Sequence, residues 1–324
     1  MGASERFLSD ELERCRERLA VALALDAEAS ARLQAAVLIG ADAGDSAALQ
    51  LAYSAMPSKM VAGDFLDLTR PRAGYLDLLL GDVMGKGMEA ATLATVLKMG
   101  FLRAGAALSA SGGLPGPREL CTAAESRVSG HFLARNSIAT LIFMRVDENR
   151  GLAEFVDCGH TGLVHYRAAT DDCRLVKGGD MPIGFVDRQD LRSFLLPLRP
   201  GDALVVFSDG LSECQNADGE AFGEDRVMRV VKARFDLSAR ELADGLVRLV
   251  FEFSRSGFSD DVTLVCLRVM AGVPEALHQG FLVLKLGSGT AEATRALRSA
   301  VLACLGKNGA VGEDADIIAL ACHD

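Results

Sequence analysis

Between residues 49 and 269 the chain runs through seven segments of β type with only two helical segments among them, and this proportion constrains the fold most strongly. The segments are "LQLAYSA" (49–55), "YLDLLLGDV" (75–83), "SIATLIFMRVD" (137–147), "LAEFVDCG" (152–159), "LVHYRA" (163–168), "DALVVFSDG" (202–210) and "DVTLVCLRV" (261–269). A parallel doubly wound sheet needs a crossover helix for nearly every strand. Two helices are too few, so antiparallel sheets with helices packed on them, an α+β layered fold, are expected. Glu148-Asn149-Arg150-Gly151 is a turn signal that makes 137–159 a hairpin. The helices are Met88 to about Ala107, after a Gly-Lys-Gly turn, and about Ser238 to Phe253, where Ser238 and Glu241 form a capping box.

Upstream, Leu8, Leu12, Cys15 and Leu19 follow a 4-3-4 spacing continued by Ala22, Ala29, Leu33 and Ala36, which predicts a helix over about 5–38. Its stripe serves either as a homodimer seam or as a face packed on its own chain. The organisation is then a helix and regulatory linker over 1–45, a body over 46–270, a linker "AGVPEALHQG" over 271–280 and a tail over 281–324. The tail reads as a strand "FLVLKL" and two helices, the second running into Asp324 as though the chain were cut there.

Asp and Glu outnumber Lys and Arg by 44 to 34, and no basic stripe with interleaved aromatics is present. Nucleic acid is not an expected partner. The eight cysteines are scattered without CxxC pairs and several lie in apolar runs, the pattern of reduced, buried thiols in a cytosolic protein. The N-terminus lacks the apolar core of a signal peptide, and no stretch approaches the roughly 20 apolar residues of a membrane span. A cytoplasmic protein without a membrane partner is expected.

The chemistry lies in four stretches: "AGDFLD" (Asp64, Asp67), "LGDVMGKG" (Asp82), "FSDG" (Asp209) and "FSDDVT" (Asp260, Asp261). Each aspartate reads as standing where a strand meets a loop, and taken singly each is an ordinary solvated turn residue. A layered sheet can bring them to one edge, where carboxylates repel unless cations stand between them. Oxygen donors without clustered Cys or His select Mg²⁺ or Mn²⁺. Two such ions position a water for in-line attack on a phosphoryl group, hydrolysis without a protein nucleophile. The chain has no GxxxxGK[ST], GxSxG or HExxH motif to compete with this reading.

The order and wording of the motifs resemble the RsbU and SpoIIE branch of the metal-dependent, type 2C serine/threonine protein phosphatases. The matching segments are "PSKMVAGDFLD", "LLLGDVMGKGMEAATLATVLK", "NSIATLIFMRVD", "FVDCGHTGLVHY", "MPIGFV", "LRPGDALVVFSDGLSECQNADGEAFGEDRV" and "FSDDVTLVCLRV". The resemblance implies a β-sandwich flanked by helices, a site for two Mn²⁺ or Mg²⁺ ions at one edge, and phosphoserine or phosphothreonine proteins as substrates. It also implies that Asp82 bridges both ions, that Val83 lends a main-chain carbonyl, and that Asp64, Asp209 and Asp260, rather than Asp261, complete the set. Asp82 and Asp64 are thereby the catalytic candidates. The partner implied is a phosphorylated antagonist of an anti-sigma factor, of the STAS type, in bacterial partner switching.

Several positions depart from that pattern or stand outside it. Ala62 replaces a usual glycine, and Met84 stands where relatives carry a histidine or serine, so no side-chain acid serves the leaving group. Lys86 and Lys59 are candidate phosphate contacts or, alternatively, solvated lysines; His160 reads as a structural turn residue. The tail resembles the opening of GHKL-type anti-sigma serine kinases and stops before their ATP-binding Asn motif. Two other readings stand beside the phosphatase: a catalytically inactive scaffold on the same fold, and a two-metal nucleotidyl cyclase, which lacks any base-recognition motif.

Overall fold

The computed structural model describes residues 38–40, 43–56, 58, 63–187, 189–255 and 257–272. The expected helix over 5–38 (apart from Leu38), Lys59, Ala62 and the 281–324 tail lie outside the described residues. In chain order the elements are β1 (Leu49–Met56), β2 (Asp64–Thr69), β3 (Tyr75–Val83), α1 (Met88–Leu108), α2 (Pro117–Leu133), β4 (Ala139–Asp147), β5 (Leu152–Cys158) and β6 (Leu163–Arg167). There follow β7 (Asp172–Val176), β8 (Phe194–Pro197), β9 (Ala203–Phe207), α3 (Asp209–Ser212), α4 (Glu224–Ala233), α5 (Ala239–Ser254) and β10 (Val262–Val269).

The strands form two five-stranded sheets, ordered β2-β3-β4-β5-β8 and β1-β10-β9-β6-β7, and the strand pairings are antiparallel. Side-chain alternation then sorts the core into three layers. Leu76, Leu78 and Leu80 of β3 meet Val265 and Leu267 of β10 between the sheets. Leu79 and Val83 point the other way, under α1 and α2. Val205 and Phe207 of β9 lie under α4 and α5, whose Leu242, Leu246 and Val250 recur at helical spacing. The expected α+β sandwich with flanking helices is what the chain adopts.

Two helices were expected within the body, whereas α2 and α4 add two more of useful length. The buried stripe of α2 passes through Glu125 and Ser129, which blurs its periodicity in the sequence. β2, β7 and β8 were likewise not expected as strands, and β9 stops at Phe207, where the chain passes through Ser208 into the short helix α3. The capping box of α5 forms as expected, Ser238 Oγ accepting from Glu241 N at 3.2 Å and Glu241 Oε2 accepting from Ser238 N at 2.9 Å. Helix α1, contrary to expectation, is long and apolar enough to span a bilayer by length and composition. Its apolar face lies in the core instead, with Leu93, Leu97 and Ala104 buried.

Two ion pairs are enclosed with this core. Lys98 of α1 reaches Asp67 Oδ1 at 2.9 Å and the Leu38 carbonyl at 3.0 Å. Arg145 clasps Asp77 with two bonds of 2.6 Å and donates a third to the Pro115 carbonyl. The described cysteines, Cys121, Cys158, Cys173, Cys214 and Cys266, form no disulfide.

Candidate functional site

Strand parity builds the site. Leu66 and Leu68 of β2, with Leu76, Leu78 and Leu80 of β3, face the second sheet. The same parity puts Asp64 and Asp82 on that inner face, at the end of the sandwich, and the register sets them directly opposite one another. Like charges in facing positions repel, and burial adds the cost of desolvation. Asp64 is 3% exposed, and burial first, then the Asp82 charge, raise its pKa well above the usual carboxylate range. Burial, followed by Asp209, Asp260 and Asp261, pushes Asp82 up to about 7, with Lys86 opposing the shift.

The second sheet supplies the remaining carboxylates from β9 and β10, which lie side by side. Asp209 opens α3 just beyond β9, and burial, Glu213 and Asp260 raise its pKa in that order. Gly210 lets this turn approach β10: a Cβ there would stand 2.0 Å from the Asp261 carbonyl. Asp261 ties the two sheets together. Its Oδ2 accepts from Gly63 N at 2.9 Å and its Oδ1 from Ser58 N at 2.8 Å. With the Ser58 hydroxyl also donating to Oδ1 at 3.1 Å, that carboxylate is committed to the segment 58–63, whereas Asp260 stands half-exposed beside it.

Asp64, Asp82, Asp209 and Asp260 thus come to one edge, where Val83 also presents its carbonyl. Gly63 marks the closeness of the packing, since a Cβ on it would lie 2.9 Å from both Asp82 Oδ1 and Val83 O. Asp67 does not join them. It sits within β2, on the opposite face, where it pairs with Lys98.

The donor set is all oxygen and mostly anionic, the chemistry of a hard divalent cation. Asp64 Oδ2 is buried and makes no hydrogen bond among the described residues, which is costly for a carboxylate oxygen unless a cation completes it. By that test the residues fit a metal. Among the described residues no three Asp, Glu, His or Cys side chains already converge as a closed cage. The carboxylate of Asp260 is engaged elsewhere, with Lys86 Nζ at 2.8 Å and its neighbour Asp261 N at 2.9 Å.

The other candidates fall out as follows. Lys86, whose side chain is exposed, also donates to the Ser259 carbonyl of the loop before β10 at 3.1 Å. Met84 is exposed, and a thioether has no proton to give. His160 is buried, with Nδ1 at 3.1 Å from Thr140 Oγ1; Nε2, beside the Phe207 carbonyl, makes no hydrogen bond of acceptable geometry. Burial lowers its pKa to about 4. Ser208, whose Oγ accepts from Thr263 N at 2.9 Å, and Ser58 were not singled out from the sequence; both act through partners more than fifty residues away, so no local pattern marks them.

The profile of the family described as Stage II sporulation protein E (SpoIIE) matches residues 72–270, more than half of the 324 residues. The chain belongs to the SpoIIE family. The match takes in Asp82, Val83, Asp209 and Asp260, while Asp64 lies just before it. This SpoIIE-family chain is 22% identical over 233 residues to Phosphoserine phosphatase RsbU of Bacillus subtilis, covering 71% of this chain and 66% of the relative. It is 24% identical over 236 residues to Protein IcfG of Synechocystis sp., covering 65% of this chain and 36% of the relative. The chain therefore spans just under two thirds of the first relative and about a third of the second.

Solved structures share the fold. The SiaA-PP2C domain of Pseudomonas aeruginosa matches with a TM-score of 0.62 at 18% identity, over 83% of this chain and 99% of that one. A Mycobacterium tuberculosis structure of RsbU and RsbW domains matches with a TM-score of 0.57 at 24% identity, over 88% of this chain and 75% of that one. The SpoIIE-family body is accordingly a PP2C-type sandwich.

Proposed function

We propose that the chain is a divalent-metal-dependent protein phosphatase acting on phosphoserine or phosphothreonine, and that its substrate in bacterial partner switching is the phosphoserine of a STAS-type anti-sigma-factor antagonist. The observation that carries this reading is the facing pair Asp64 and Asp82, buried at a sheet edge with one carboxylate oxygen left without a partner. Asp64, Asp82, Asp209 and Asp260, with the Val83 carbonyl, would hold two Mn²⁺ or Mg²⁺ ions. Bound there, such ions supply Lewis acidity and a water of lowered pKa. Relatives' names support the same direction: one is a phosphoserine phosphatase, and a solved structure of RsbX is a complex with magnesium.

The chain's own part is positioning. β3, paired on both sides, holds Asp82, and the edge strand β2, paired with β3, sets Asp64 opposite it. Asp261 fixes the first sheet against the second, so carboxylates from both keep their relative places. Water oxygen bonds to phosphorus as the bond from phosphorus to the serine oxygen breaks. Met84 offers no proton to that departing oxygen, which takes one from water. Lys86 meets the phosphoryl group only in exchange for its contact with Asp260. Residues 5–38, as a signal relay or homodimer seam, and the kinase-like 281–324 segment belong to the same reading.

With Mn²⁺ or Mg²⁺ the protein should hydrolyse p-nitrophenyl phosphate, and a phosphorylated antagonist from the same genome should lose its phosphate. EDTA or Asp82→Asn should abolish both; activity surviving either overturns the two-metal mechanism.

The Lys86–Asp260 ion pair favours a second reading, a phosphatase fold that binds without catalysis. A calorimetric titration with Mn²⁺ that shows no binding would select it.

A further inference from the structure

The row of facing residues that sets Asp64 against Asp82 continues beyond β3. Asp82 faces Thr140 across the β3–β4 ladder, so three polar side chains stand in line over three strands. Ile142, Met144 and Val146 of β4 lie between the sheets, and strand parity puts Thr140 on that same inner face. Facing Cβ atoms in a ladder lie about 4.5–5.5 Å apart. Thr140, half-buried at the end of the sandwich, therefore adjoins the Asp82 side chain.

His160 stands behind this hydroxyl, with Nδ1 3.1 Å from Thr140 Oγ1. A built turn puts it there. Gly159 has φ +69°, a Cβ on it would lie 2.9 Å from Pro182, and Asp157 accepts from His160 N at 2.8 Å and from Gly178 N at 2.7 Å. The ring is 6% exposed, and its Nε2 lies beside the Phe207 carbonyl of β9, the strand that leads to Asp209. A ring so buried is neutral and carries one proton. A carbonyl offers only lone pairs, so that proton belongs on Nε2 and leaves Nδ1 an acceptor. Thr140 then donates its one hydrogen to His160. Its oxygen keeps only lone pairs for the acidic edge, where ionised carboxylates have no hydrogen to give and a water has two.

We infer that Thr140 accepts a hydrogen bond from the water that attacks phosphorus, and that His160 is the positioning residue that fixes the Thr140 hydroxyl for this task. This inference rests on the phosphatase reading above. The pair orients a lone pair of the water oxygen and takes no proton; the proton that water loses leaves to solvent. His160 also stands between Thr140 of one sheet and Phe207 of the other, two residues before Asp209, so the same ring registers the water acceptor against carboxylates from both sheets.

The test uses the full chain with Mn²⁺ and p-nitrophenyl phosphate. Thr140→Val keeps the shape of the side chain and removes the hydroxyl. It should lower kcat about tenfold or more, with KM and the calorimetric affinity for Mn²⁺ within about twofold of wild type. Thr140→Ser should bring kcat back to within about threefold of wild type. His160→Phe should lower kcat in the wild-type background and change it by less than about twofold in the Thr140→Val background, because the two residues act as one unit. Equal losses in both backgrounds would mean that His160 supports only the fold, and would overturn its positioning role. Nitrogen-15 NMR of the metal-free chain near pH 7 gives a readout apart from catalysis: the His160 proton should sit on Nε2, and the Nδ1 resonance should move in Thr140→Val. A proton on Nδ1 overturns the inference, as does wild-type kcat in Thr140→Val or a loss carried by KM or Mn²⁺ affinity. Wild-type protein inert on p-nitrophenyl phosphate would instead overturn the phosphatase reading beneath it.

Discussion

Lys86 Nζ stands 2.8 Å from Asp260 Oδ2, closing the glycine turn after β3 onto the loop before β10. A cation thus already occupies part of the space where a metal would bind. Both side chains are well exposed, so the contact is weak, and replacing Lys86 should release Asp260 at small cost. Lys86→Met is expected to tighten Mn²⁺ binding roughly two- to five-fold, as read by calorimetry. An unchanged or weaker affinity would show that the ion pair organises the edge instead of competing for it.

Asp82 differs between the folded and unfolded states in how it holds a proton. Its folded pKa is raised from 3.8 to about 7, so the metal-free folded protein binds that proton more readily than the unfolded chain. The stability this confers is complete below the unfolded value and lost as pH rises through about 7. In EDTA, Asp82→Asn should therefore raise Tm by about 5 °C near pH 8 and by little near pH 4. Adding Mn²⁺ near pH 8 should stabilise wild type and leave Asp82→Asn much less affected. Equal melting of the two metal-free proteins across this range would contradict the electrostatic account.

His160 has the opposite sign. Burial lowers its pKa from 6.5 to about 4, and the neutral ring is the form the fold accepts. The stability it contributes is present above the unfolded value and lost as pH falls from 6.5 towards 4. Urea midpoints should show wild type losing stability between about pH 7 and pH 5 more steeply than His160→Gln. Parallel profiles would mean that the ring is solvated.

Arg145 and Asp77 make a clasp that is expensive to break on one side only. Asp77→Ala should cost about 3–5 kcal/mol in chemical denaturation, because it leaves a guanidinium in the core without its anion. Replacing both, as Asp77→Leu with Arg145→Met, should recover most of that loss. A single substitution that costs no more than the double one would contradict the buried-pair argument.

The sequence was legible where local pattern and tertiary role coincide. β3 runs from Tyr75 to Val83 as expected, since an apolar run delivering Asp82 into a glycine turn has one sensible reading. β2 escaped notice because Asp64 and Asp67 read as standing where a strand meets a loop, whereas in the fold they alternate across a strand, one toward the second sheet and one toward Lys98. The setting of Asp64 against Asp82 depends on register, and that of Asp260 against Lys86 on a contact across most of the domain. Neither leaves a mark in a short window of residues.

β10 lies between β1 and β9, and so joins the first strand of the body to the later ones. During synthesis, β1 has no neighbour in its own sheet until residues 262–269 have left the ribosome, and Asp260 emerges only just before them. Such non-local pairing is slow to form. A nascent chain therefore carries Asp64 and Asp82 with the opposing sheet incomplete until β10 is made, and the acidic edge comes into being in the last moments of translating the body.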